Sequence, residues 1–176
     1  MELNRIAAAA CAAIALPVLV ACATAAMPAK AEEVTYRKDV APMLKKYCAE
    51  CHSEAAGSPS MAEFNLDQDK YAKKEKVGPR SDTYEHLLQL VNGKSTGAFM
   101  RRLDDGTSPY SGGKPGNMYK YLCEKENTNN NAECAANLKI LKAWVGEGGW
   151  NLNRMAARGD VPALTKEQMD KVKVKY

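Results

Sequence analysis

Cys48-Ala49-Glu50-Cys51-His52 is the stretch that decides how this chain is read. Two thiols three positions apart, with a histidine directly after the second, form the C-x-x-C-H pattern of covalent haem attachment. Each thiol can add to one vinyl group of the same haem, and His52 follows where its imidazole can serve as axial ligand to the iron. Two other chemistries use paired cysteines. Structural zinc needs two further ligands, yet the chain holds one other histidine, His86, and only two other cysteines beyond the N-terminal region. A thiol–disulfide oxidoreductase places its motif at a strand-to-helix junction, and no such pattern precedes Cys48.

The N-terminal region points to export. Residues 6–27 form an alanine-rich apolar run behind a lone Arg5, ending in Ala29-Lys30-Ala31 and then Glu32-Glu33. That is the layout of a secretory signal peptide, residues 1–31. Two alternatives stay open. The run is long enough to span a bilayer if retained, and Leu19-Val20-Ala21-Cys22 resembles a lipobox that would leave a lipidated Cys22. All three place the folded part outside the cytoplasm, so a periplasmic location, free or tethered through the N-terminus, is expected.

Of 25 basic and 21 acidic residues, the leader holds Arg5, Lys30 and Glu2, which lowers the formal charge from +4 to +3. No dense basic patch interleaved with aromatics supports nucleic-acid binding. Scattered lysines suit docking of an acidic partner. Cys11 and Cys22 leave with the leader, and Cys48 and Cys51 go to haem. Cys123 and Cys134 remain, and in an oxidising compartment they read as a disulfide, two unpaired buried thiols being the alternative. Closing so short a polar loop contributes about 2–3 kcal/mol, mainly by restricting the unfolded chain.

Helical periodicity accounts for the rest. Asp39 is expected as N-cap and Pro42 in the first turn, with Val40, Leu44, Tyr47 and Cys51 on one stripe. Ser53 to Pro79 reads as irregular loop with Phe64 and Leu66 turned inward. Ser81-Asp82 is expected to cap a helix carrying Tyr84, Leu87, Leu88 and Val91, closed by Gly93. A third helix carries Phe99, Met100 and Leu103 and stops at Gly106. Residues 107–116 form a Gly/Pro/Ser loop, and a last strong helix over 132–145 buries Cys134, Leu138, Leu141, Trp144 and Val145. A short helix over 165–172 is expected in the tail. No strand alternation and no repeat appear.

Tyr36 to Leu44 running into Tyr47-Cys48-Ala49-Glu50-Cys51-His52 resembles the first helix of class I monohaem c-type cytochromes, and Leu141 to Gly149 resembles the end of their last helix. The resemblance implies an all-α fold: a small cytochrome c-like helical bundle around one covalently bound haem c. This chain would add an inserted loop and a C-terminal extension, giving a leader at 1–31, a cytochrome domain at 32–149 and an extension at 150–176. It also implies a methionine from a late loop as second axial ligand. Met118, in Lys114-Pro115-Gly116-Asn117-Met118, lies at the matching place. Met100 is the main rival, although its stripe with Phe99 and Leu103 suits core packing better. Met61 and His86 are weaker, His86 because it falls on the polar side of its helix; Met43, Met155 and Met169 lie in or beyond the flanking helices. Tyr47, Trp144, Tyr119 and Tyr121 are candidates to line the crevice, and Arg101 or Arg102 to pair with a propionate.

Iron with both axial positions filled by protein suits electron transfer rather than catalysis. The expected function is a periplasmic single-electron carrier, not an enzyme, with periplasmic or membrane-bound redox proteins as partners. Two alternatives are a haem subunit that stays bound to a periplasmic oxidoreductase, and a five-coordinate haem enzyme or ligand sensor, which would bind carbon monoxide readily when reduced.

Overall fold

The first helix starts a turn earlier than expected. In the computed structural model, Thr35 is its N-cap, accepting from the N–H of Lys38 through its hydroxyl. Asp39 is the reciprocal partner rather than the cap, its carboxylate accepting the N–H of Thr35 at 2.8 Å. The reach from residue 39 to 35 goes with a wide π-helical turn, Tyr36–Val40, which runs into helix α1, Ala41–Tyr47. Pro42 sits at the start of α1, where its missing N–H costs little.

The structure describes residues 32–91, 98–109, 111–124, 131–146, 148–150 and 164–176. The leader over 1–31, Gly93, Met155 and most of the loop between Cys123 and Cys134 lie outside them. Helices α2 (Met61–Leu66), α3 (Tyr84–Val91), α4 (Ala98–Leu103), α5 (Asn131–Val145) and α6 (Lys166–Lys173) follow, with a π-helical segment at Asp69–Glu75 and a 3-10 turn at Tyr119–Tyr121. The described residues contain no strand, so the all-α expectation holds. None of their helices is long and apolar enough to cross a membrane.

One apolar core joins these elements. Val40 and Leu44 of the first helix share it with Leu138, Leu141, Trp144 and Val145 of α5, as the periodicity indicates, and Met43 joins them from outside the expected stripe. Leu87, Leu90 and Val91 of α3 and Phe99, Met100 and Leu103 of α4 complete its middle. Full burial of such side chains contributes about 1.5–3 kcal/mol each. Residues 32–176 form one compact unit, and the C-terminal segment contributes Leu164, Met169 and Val172 to the same core. α6 is fixed by a capping box in which Thr165 and Gln168 satisfy each other's backbone donors. Beyond it, the Lys175 ammonium reaches the carbonyls of Ala143 at 2.9 Å and Trp144 at 3.3 Å, covering exposed acceptors at the end of α5.

The stretch from Ser53 to Pro79 departs from expectation. It holds α2 and the π-helical segment rather than irregular loop alone. Ser60 and Glu63 form a capping box that starts α2. Phe64 does turn inward and packs against the core, stacked on Tyr71, but Leu66 is 87 % exposed. A six-residue helix has only one apolar face, and here that face is spent on Met61 and Phe64. The cap of α3 is likewise Thr83, whose hydroxyl accepts the N–H of His86, rather than Ser81 or Asp82.

Cys123 and Cys134 are disulfide-bonded, with Cα atoms 4.8 Å apart. Asn137 secures the same corner by donating to the carbonyl of Leu122 at 2.6 Å.

Candidate functional site

The C-x-x-C-H segment continues α1 as a further turn. Cys48 is the C-cap of α1, its N–H bonded to the Leu44 carbonyl at 2.8 Å. The Cys48 carbonyl then accepts from Cys51 at 3.1 Å and from His52 at 2.9 Å. These bonds bring both sulfurs and the imidazole together within one local unit. Two serines hold two further carbonyls: Ser53 Oγ donates to Ala49 at 2.6 Å and Ser58 Oγ to Cys51 at 2.7 Å.

The two thiols differ. Cys48 is partly enclosed, and burial, with a smaller push from Cys51, raises its thiol to about 11. It is a neutral thiol at neutral pH. Cys51 is exposed, and neither is in a disulfide.

His52 has its tautomer fixed by its neighbour. Its Nδ1 lies 3.0 Å from the carbonyl oxygen of Pro79. A carbonyl can only accept, so in the neutral imidazole Nδ1 carries the proton and Nε2 the lone pair that can bind a metal. Gly78 allows this approach: a Cβ there would stand 2.8 Å from His52 Cε1. Gly78 and Pro79 were not picked out in the sequence as functional. The Gly-Pro pair was nevertheless a signal, since a residue before proline is driven to extended backbone, which exposes its peptide groups to a neighbour.

This donor set fits a covalently attached haem: two unpaired thiols at thioether spacing, and an imidazole whose outer nitrogen is committed to a carbonyl, as ligating histidines require.

Met118 lies on a separate, firmly held loop. Gly116 donates its N–H to Asp104 at 2.7 Å, and Met118 donates its own to Arg102 at 2.9 Å. The loop lies so close to the end of α4 that a Cβ at Gly116 would fall 2.3 Å from the carbonyl oxygens of Arg101 and Arg102. Arg102 also donates to the Asn117 side chain at 2.9 Å, fastening this loop. The backbone of Met118 is tied to Arg102 and Tyr121, not to the His52 segment. Its side chain is half-buried at the core's edge, whereas Met100 is wholly enclosed and Met61 is 8 % exposed.

The other candidates have local partners. His86 is not turned fully to water: Thr83 Oγ1 lies 2.9 Å from its Nδ1, and Asp82 Oδ1 is 3.8 Å away. The Thr83 cap draws the ring back onto the start of α3. Tyr47 donates its hydroxyl to Glu133 at the start of α5. Trp144 is fully buried against Tyr36 and Tyr84, at ring distances of 6.2 and 6.4 Å. Tyr119 is half-buried against the core, and Tyr121 is 39 % exposed.

A family model described as PccH cytochrome c matches residues 35–176. The solved structure of monoheme cytochrome PccH from Geobacter sulfurreducens is similar, with 39 % identity and a TM-score of 0.60; the match covers 82 % of this chain and 100 % of that one. No curated protein matches.

Proposed function

Because the chain belongs to the PccH cytochrome c family and so carries one covalently bound haem c in an all-helical monohaem fold, we propose that it is a periplasmic carrier of single electrons in which Cys48 and Cys51 hold the haem and His52 and Met118 are its axial ligands. Membership of that family supports electron transfer in place of catalysis. The bound haem supplies a one-electron couple at its iron.

The observation that carries the site assignment is His52, with Nδ1 engaged by Pro79, next to two thiols free of any disulfide. Pro79 orients the ring and selects the neutral tautomer in which Nε2 carries the lone pair. Ser53 and Ser58 hold the motif's backbone, so the sulfurs and imidazole keep a fixed relation. Met118 is favoured over Met100 because the Gly116 and Arg102 contacts fix its backbone while its thioether is only half enclosed by protein. A thioether raises the reduction potential relative to a second imidazole. The signal-peptide layout of residues 1–31 supports the compartment, and the partners would be periplasmic or membrane-bound redox proteins that accept a lysine-bearing surface.

Replacing Met118 with Ala tests the ligand set. Loss of the far-red sulfur-to-iron band of the oxidised protein, with a lowered potential, is the expected result. An unchanged band moves the ligand to another residue.

A further inference from the structure

The peptide unit joining Pro79 to Arg80 is held at both of its polar ends. Its carbonyl accepts from His52 Nδ1 at 3.0 Å, and its N–H donates to the Pro59 carbonyl at 2.8 Å. One residue on, the N–H of Ser81 donates to the main-chain carbonyl of His52 at 2.9 Å. Next, the Asp82 carboxylate accepts the N–H of Glu54 at 2.9 Å. Residues 79–82 are thus laced along 52–54 through ring, backbone and side chain in turn.

Arg80 ties this lacing together. Its Nε meets Asp82 Oδ1 at 2.8 Å, and its Nη2 meets Asp82 Oδ2 and Glu54 Oε2, each at 3.0 Å. The Arg80 and Asp82 side chains are only 15 % and 18 % exposed, although that of Glu54 is 80 % exposed. A planar guanidinium gripping one carboxylate with two nitrogens fixes geometry as a flexible ammonium does not. Burial pushes the Asp82 carboxyl up, but Arg80 and the Glu54 N–H outweigh it and leave it below the usual range.

We propose that Arg80 is a positioning residue for His52: by clamping Asp82 and Glu54 it keeps the Pro79 carbonyl seated on the imidazole Nδ1–H and so holds the protein's reduction potential down. This rests on the reading of His52 as the iron ligand. A carbonyl that accepts Nδ1–H makes the imidazole a stronger donor through Nε2, and a stronger donor favours the more highly charged, oxidised iron. A slack Pro79–Arg80 peptide weakens that bond, and the potential rises. The charge of Arg80 acts in the opposite sense, because a nearby cation disfavours the oxidised state. Loss of charge and loss of geometry therefore have opposite signs. Lysine separates them by keeping the charge without the fork.

The test uses the haem-loaded full chain and the Arg80→Lys and Asp82→Asn variants, measuring reduction potential at fixed pH and salt. It also follows the His52 Nδ1–H signal of the reduced protein by NMR, through its chemical shift and its exchange with solvent. Arg80→Lys is expected to raise the potential and to speed Nδ1–H exchange. Asp82→Asn is expected to speed exchange as well, which keeps the idea testable if the first variant fails to retain haem. An Arg80→Lys protein with unchanged or lowered potential and the parent's exchange rate overturns the clamp while leaving His52 as ligand. A parent spectrum in which the ligating imidazole is not His52 overturns both.

Discussion

The N–H of Tyr36 donates to the carbonyl of Lys175 at 2.6 Å, so the first helical turn is bonded directly to the tail. Tyr176 adds to the joint, stacking on Tyr36 with ring centres 5.8 Å apart beneath the Arg37 guanidinium. Val172, fully buried, anchors α6 beneath it. Val172→Ala should lower stability by about 2 kcal/mol. Lys175→Ala, which only uncovers the end of α5, should cost about 0.3–1 kcal/mol. Urea unfolding of the haem-loaded protein measures both. Equal and negligible effects would mean that the tail is not part of the cooperative core.

Glu133 links three segments: it accepts from the Tyr47 hydroxyl and from the N–H of Glu124, and Lys46 lies 3.8 Å away. Tyr47 first, then the Glu124 N–H, hold its carboxyl below the ordinary 4.5, against a smaller effect of burial. A carboxylate with a lowered folded value stabilises the fold above its unfolded value, and that contribution is lost as pH falls through the folded value. The parent should therefore lose stability below about pH 4.5 more steeply than Glu133→Gln, and the two curves should run parallel above it. Denaturant midpoints across that range check the sign.

Replacing both Cys123 and Cys134 with Ser removes the covalent corner but leaves the Asn137–Leu122 bond. The expected loss is about 2–3 kcal/mol, with haem attachment retained. Intact mass before and after alkylation, together with unfolding curves, reads both quantities.

Gly78→Ala puts a methyl group where a Cβ would stand 2.8 Å from His52 Cε1. Either the ring tilts or the Gly78–Pro79 backbone retreats, and both weaken the Nδ1–H bond to Pro79. The expected result is a higher reduction potential with a growing high-spin fraction in the oxidised spectrum. An unaltered spectrum and potential would show that the approach of Gly78 does not constrain the ring.

The legible parts of the sequence were those written in local spacing. The apolar repeat of Val40 and Leu44 and the α5 stripe from Cys134 to Val145 each lie within a few turns of one helix, and both take their expected places, whereas Cys51, which spacing put on the first stripe, is exposed because the helix has ended at Cys48. The Cys123–Cys134 bond followed from counting thiols. The partner of His52 did not, because Pro79 lies 27 residues away and no periodicity connects them. α2 was signalled by Ser60 and Glu63 at capping-box spacing, but the surrounding Ser, Gly and Pro residues masked it. Leu66 was misassigned for a related reason: hydrophobicity alone does not say which side of a six-residue helix meets the core.

The pairing of Tyr36 with Lys175 also bears on the order of assembly. The first helix waits for the segment around Lys175 and Tyr176 to be made before its N-terminal backbone is satisfied and its aromatic face covered. A chain built this way cannot complete its core until that distant segment has been made, so local helix formation at the first turn precedes its stabilisation by tertiary contact.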